Sequence, residues 1–270
     1  MEPESAALSL TVLGSGAPYP QPGRACSGYL VRGGPGRVWV DAGPGTLASL
    51  QNFTRLETLS GVWLSHLHAD HAADLLGTYY ALALCGVTRP APLPVYAPRG
   101  CAERLAGYFA EPATGFLGKA FAFHDLHDGH VAEVDGLRLV SRAVDHDVEA
   151  FGLRVEYAGA SLAYSGDSAP CGALEELAAD ADLLLCEAGD DRDRPGAAKR
   201  HHTPEEAGEL ARRAHVREVV ITHIAPALTE EEAVLRAART FPGRIRAARE
   251  GATFPITAAA RPGEARRSQV

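Results

Sequence analysis

The chain has 270 residues, 46% of them hydrophobic, which is enough to bury a large core, and no linker or low-complexity stretch divides it. A formal net charge of −8, without a cluster of Lys and Arg in the part expected to fold, argues against gripping a nucleic acid by its phosphates. No run is apolar for long enough to span a membrane, and the acidic start Met1-Glu2-Pro3-Glu4-Ser5 lacks the build of a secretory signal. The five cysteines, Cys26, Cys85, Cys101, Cys171 and Cys186, are odd in number and irregularly spaced, so free thiols in a cytoplasmic protein are expected.

In chain order, an apolar first strand ends in Gly14-Ser15-Gly16. That triplet opens like a nucleotide fingerprint but lacks the later glycine and runs into Pro18 and Pro20, so it predicts only a tight turn. Gly61-Val62-Trp63-Leu64-Ser65 reads as a buried strand, and Ala72-Ala73-Asp74-Leu75-Leu76 as the start of a helix. Between them stands His66-Leu67-His68-Ala69-Asp70-His71, a density of transition-metal ligands that folding alone does not require. Side chains alternate along an extended segment, so His66 and His68 point the same way. Asp70 and His71, at the turn into the helix, can point to a second place close by. The run therefore predicts two metal positions.

Two metals need more ligands than one loop supplies, and strand ends are where a sheet can aim them. His146 follows the strand-like Leu137-Arg138-Leu139-Val140, Asp167 sits in the turn Ser165-Gly166-Asp167-Ser168, and His223 follows Val219-Val220-Ile221-Thr222. Three more histidines, His124, His127 and His130, lack the spacing of a zinc module and flank the turn pair Asp128-Gly129, so a solvated loop is expected there. Helix patterns occupy 174–181, 204–214 and 230–239. Thr203-Pro204-Glu205-Glu206 and Thr229 with Glu232 form capping boxes ahead of the last two. His202 lies just before the first of these helix starts, where free N–H groups favour an anion, so it is placed as a proton donor to a leaving group. The order predicts an α/β protein, an αββα sandwich of two mixed sheets flanked by helices. Residues 1–256 form its single domain, and an Arg- and Ala-rich tail, 257–270, is expected to be disordered.

His66-X-His68-X-Asp70-His71, His146, Asp167 in its Ser-Gly-Asp-Ser turn and His223 resemble the ordered motifs of the metallo-β-lactamase superfamily. Val40-Asp41-Ala42-Gly43, Cys186-Glu187-Ala188 and His201-His202-Thr203 extend the similarity over almost the whole chain. The branch it resembles is that of ribonuclease Z and related phosphodiesterases, and within it the actinobacterial atypical class II cyclic-nucleotide phosphodiesterases. The resemblance implies that His66, His68 and His146 bind one metal, that Asp70, His71 and His223 bind the other, and that Asp167 bridges them. It implies two divalent ions, with Zn2+ first and Mn2+ or Fe as alternatives, and a hydroxide between them as nucleophile. Asp70, His202 and Glu187 are then the catalytic residues, Glu187 orienting His202 and raising its pKa. A homodimer is implied as well.

Ribonuclease Z enzymes carry a long arm for transfer RNA between the motifs matching His146 and Asp167. Here these residues are only 21 positions apart, with a plain hairpin predicted between them. A phosphodiesterase acting on a small phosphodiester such as a cyclic nucleotide is the expected function. The alternatives are a lactonase, thioesterase or sulfatase on the same dimetal site, and a ribonuclease Z-like endonuclease without the arm.

Overall fold

The computed structural model describes residues 7–110, 114–194, 196 and 198–258. Its first sheet contains β1 (Leu8–Gly14), β2 (Gly28–Gly33), β3 (Gly36–Ala42), β4 (Gly61–Trp63), β5 (Leu93–Ala97), β6 (Phe121–Asp125) and, from the far end of the chain, β14 (Thr253–Ile256). The second contains β7 (Val131–Val134), β8 (Leu137–Ala143), β9 (Phe151–Tyr157), β10 (Ala160–Tyr164), β11 (Leu183–Ala188), β12 (Glu218–Ile224) and β13 (Arg244–Ala247). Strand orders are β14-β1-β2-β3-β4-β5-β6 and β13-β12-β11-β10-β9-β8-β7. Each sheet is mixed: antiparallel pairing gives way to parallel pairing at β3/β4 in the first and at β10/β11 in the second.

Period-two alternation explains the layers. Val38 and Val40 face inward against Leu153, Val155, Leu162 and Leu185 of the other sheet, while Trp39 between them faces outward. Likewise Leu183 and Leu185 join the inter-sheet core, and Leu184 and Cys186 join the outer one. The outer face of the first sheet packs on α1 (Thr46–Leu50), α3 (Asp74–Ala83) and α4 (Cys101–Tyr108), through Leu50, Leu75, Tyr79 and Leu105. That of the second packs on α5 (Gly172–Ala178), α6 (Pro204–Arg213) and α7 (Glu230–Ala237), through Leu174, Leu177, Leu210 and Ala233. The expected αββα sandwich is the observed one.

The structure sharpens several local expectations. Both capping boxes form, Thr203 with Glu206 and Thr229 with Glu232, and they start α6 and α7 at the residues expected. The helix after the histidine loop is two pieces, α2 (Ala69–Ala72) and α3, with Ala73 between them. The α4 helix had no sequence expectation, because its N-cap is Gly100, which has no capping side chain to announce it. His124 lies on β6 and stacks on Tyr96 at 4.8 Å, rather than in a loop. The β9–β10 hairpin turns through Ala158 and Gly159 alone, both at positive φ (50° and 82°). All five cysteines are free, with Cys26, Cys101 and Cys186 buried and Cys85 exposed. Among the described residues no helix is long and apolar enough to cross a membrane. Of the tail expected to be disordered, residues 259–270 lie outside the described residues.

Candidate metal centre

The predicted ligands converge at the carboxyl ends of the strands beside the antiparallel-to-parallel switches, where open mixed sheets leave a crevice. The histidine loop follows β4. His66 Nε2 and His68 Nδ1 stand 3.0 Å apart, and His146 Nε2 is 3.5 Å from the same His68 nitrogen. On the other side, Asp70 Oδ2 lies 3.6 Å from His71 Nε2 and 3.3 Å from His223 Nε2. Asp167 Oδ2 lies between the two groups, 3.9 Å from His66 Nε2, 3.4 Å from His71 Nε2 and 3.5 Å from His223 Nε2. Within His66/His68/His146, within Asp70/His71/His223 and within His66/His71/Asp167, the donor atoms all fall inside 4.8 Å of one another. Asp167, His201 and His223 form a fourth such group, so the cluster can hold divalent metal, with Asp167 shared between groups.

The donor set fits divalent metal ions on an internal observation. His71 Nε2 and Asp167 Oδ1 are buried and have no hydrogen-bond partner. Buried polar atoms without partners are costly, and a cation satisfies them. The titration behaviour reflects the same crowding. Burial, with the neighbouring His71 charge, holds the His66 imidazole well below its ordinary range. Burial also opposes charge on His71 and Asp167, but there opposite charges prevail. The Asp167 and Asp41 carboxylates hold His71 well above its usual value, and His223 with His71 holds Asp167 well below.

Asp41 is the residue whose role the sequence concealed. It is fully buried and accepts four hydrogen bonds: Ser65 N–H (2.7 Å), Ser65 Oγ (2.8 Å), Tyr164 Oη (2.7 Å) and His71 Nδ1 (2.7 Å). The last bond fixes the tautomer of His71 and leaves Nε2 for the centre. A register shift in the β2–β3 pairing leaves Asp41 as the extra residue of a bulge, at φ 55°. His223 is the bulged residue of β12 in the same way, at φ 43°, since Thr222 and Ile224 take the consecutive partners Glu187 and Ala188. It therefore lies within its strand rather than after it. Both bulges turn a side chain that regular pleating would aim elsewhere. Close approach does the rest: a Cβ on Gly43 would stand 2.0 Å from the Asp70 carbonyl oxygen, so only glycine lets β3 meet the histidine loop.

One sequence expectation is corrected. His202 does not face the ligands. Its ring is buried, its Nδ1 donates to the Ser168 carbonyl at 2.6 Å, and burial lowers its pKa. The neighbouring His201 takes the expected place, 5.3 Å from the His146 ring and stacked on His223 at 5.6 Å, with Nδ1 3.9 Å from Asp167 Oδ2. Glu187 accepts from His201 Nδ1 (3.1 Å), from the backbone N–H of Ser168 (3.0 Å) and His202 (3.2 Å), and from Gly189 N–H (2.6 Å). It thus holds His202 only by its backbone. Burial opposes a charge on His201, yet the Glu187 carboxylate overrides it and the ring is pushed up to about 9. The two histidines are neighbours just before a helix, and sequence alone could not say which one points inward.

Comparisons with known proteins bear on the family and the fold. The family described as beta-lactamase superfamily domain matches residues 36–224. A ribonuclease Z of Mycolicibacterium paratuberculosis is 35% identical over 265 residues, covering 88% of this chain and 94% of that protein. The crystal structure of the metallo-beta-lactamase fold protein YhfI from Bacillus subtilis superposes with a TM-score of 0.81 at 23% identity, over 92% of this chain and 99% of that one. A diphosphatase from the PhnP family superposes with a TM-score of 0.74 at 23% identity, over 93% and 99%. The chain belongs to the metallo-β-lactamase superfamily of metal-dependent hydrolases, in its ribonuclease Z-like branch.

Proposed function

We propose that this protein is a phosphodiesterase that hydrolyses a small phosphodiester, with a cyclic nucleotide as the type of substrate it fits. The observation that carries the reading is His201 held by Glu187 beside Asp167 and His223, a proton donor next to two ion positions. In this reading His66, His68 and His146 hold one metal, Asp70, His71 and His223 hold a second, and Asp167 is shared, with Zn2+ as the first choice. When bound, such ions supply a nucleophile from water at neutral pH and neutralise charge on a phosphoryl oxygen.

The chain's own residues supply the remainder. Asp41 and the Arg200 carbonyl, which accepts from His146 Nδ1 at 3.0 Å, fix two imidazoles in the tautomer that offers Nε2. Glu187 takes Nδ1 of His201 and keeps that ring protonated at neutral pH, so Nε2 can pass a proton to the departing alkoxide. A phosphodiester needs this step because an alkoxide is a poor leaving group in water.

The two-residue turn of β9–β10 and the net charge of −8 support a small substrate over RNA. The test is turnover by purified, metal-loaded protein of cyclic AMP and bis(p-nitrophenyl) phosphate against panels of lactones and thioesters. Phosphodiester cleavage is expected to dominate; negligible cleavage beside rapid ester hydrolysis would overturn the reading.

A further inference from the structure

Arg200 stands next to the proton donor, and nothing in the hydrolytic arrangement above uses its side chain. Its Nη1 pairs with Asp147 Oδ2 at 3.2 Å. The other oxygen of Asp147 lies 3.1 Å from His146 Nε2 and 3.9 Å from His68 Nε2. The guanidinium is therefore one carboxylate away from two candidate ligands. The pair is open to solvent, with side-chain exposures of 57% and 30%, and exposed ion pairs of this kind exchange partners readily. Neighbouring cations are committed away from the centre: Lys199 to Asp193 and Glu206, and Arg194 to Asp190 and Asp191. Arg104 bonds the carbonyl of Leu67, whose side chain lines an apolar cleft behind the histidine loop.

Arg200 and His201 also line one cleft together, of about 290 Å³, with Asp190, Asp193, Arg194 and Lys199 on its wall. That volume accommodates part of a small molecule. A proton donor has to stand beside the leaving oxygen, so a substrate set for His201 brings its phosphoryl group to the side of the centre where Arg200 lies.

A phosphodiester carries a negative charge that a lactone or thioester lacks. A guanidinium matches two phosphoryl oxygens with two parallel N–H groups, a geometry that an ammonium cannot reproduce. We propose that Arg200 is the residue that binds the substrate's phosphate and sets a preference for anionic phosphodiesters, exchanging Asp147 for the non-bridging phosphoryl oxygens while the leaving group lies beyond His201. Asp147 keeps the guanidinium in place until substrate arrives. The inference rests on the phosphodiesterase reading and names the residue that would make it selective.

The experiment compares wild type, Arg200→Ala and Arg200→Lys, each with its bound metal measured. It reads KM and kcat for bis(p-nitrophenyl) phosphate and cyclic AMP, and the inhibition constant of inorganic phosphate. Arg200→Ala is expected to raise KM and the phosphate inhibition constant by about tenfold or more, with the larger effect in KM than in kcat, and Arg200→Lys to recover part of the loss. Values for Arg200→Ala equal to wild type, or a fall in kcat with KM unchanged, would overturn the proposal. So would a loss of bound metal in Arg200→Ala, which would assign Arg200 to holding His146. If wild type cleaves no phosphodiester, the proposed function falls and this inference with it; wild-type turnover with an indifferent Arg200→Ala removes the inference alone.

Discussion

The two sheets contribute to the centre in opposite ways. The first sheet delivers His66, His68, Asp70 and His71 from one short loop after β4, with Asp41 of β3 tying His71 and Ser65 together. The second sheet delivers one residue at a time: His146 after β8, Asp167 after β10, Glu187 on β11, His201 ahead of α6 and His223 in the bulge of β12. The dense loop makes a rigid ligand set from local chain. The scattered set depends on the register of several strands, and it carries His201, the proposed proton donor, and the Arg200 side chain. In the proposed function one side holds ions, and the other completes the ligand set and meets substrate.

Substitutions can break this division or sharpen it. The largest effect belongs to the residue both sides share. Asp167→Ala is expected to bring turnover to background and to lower bound metal by elemental analysis, since among the described residues it is the carboxylate that touches both groups of histidines. Next comes the proton donor. His201→Ala should reduce kcat by about 10²–10⁴ while metal content holds, a split that metal analysis and steady-state kinetics report together. Asp41→Asn tests the first sheet. The loss of its charge-assisted bond to His71 should weaken metal affinity by about 10–100-fold, measured by competition with a chelator, and turnover should return at high metal.

The Glu187→Gln variant tests how the second sheet tunes acidity. A protonated donor is active below its own pKa, and Glu187 raises that of His201 to about 9, so wild type should keep its activity into mildly alkaline solution. Without the carboxylate, burial prevails and the alkaline limb of the pH–kcat profile moves to lower pH; an unmoved limb would detach Glu187 from the proton transfer. The smallest catalytic effect should come from His202→Ala. That ring donates to the Ser168 carbonyl in a buried place, so its loss should appear in thermal unfolding, by about 1–3 kcal/mol, with kcat within a few-fold of wild type.

The same contrast decides what could be read from the sequence. The histidine loop was legible because its ligands lie within six consecutive residues, and the layered fold was legible because short apolar runs such as Leu183-Leu184-Leu185 mark strands buried on both faces. Capping boxes at Thr203 and Thr229 located two helix starts to the residue. The facts that stayed hidden are non-local. Nothing in Val40-Asp41-Ala42 announces a bulge that turns a carboxylate onto His71, and the bulge at His223 depends on where β11 pairs with β12. The choice of His202 over His201 failed for a related reason. A capping box fixes where a helix begins, but which of two preceding side chains points inward is set by Glu187 and Ser168 on other strands.

The most direct test of the account is a metal titration of chelator-stripped protein, following bis(p-nitrophenyl) phosphate hydrolysis against ions bound per chain. Activity is expected to be absent without metal and to rise until it saturates at two ions per chain. Hydrolysis by metal-free protein, or saturation at one ion per chain, would contradict it.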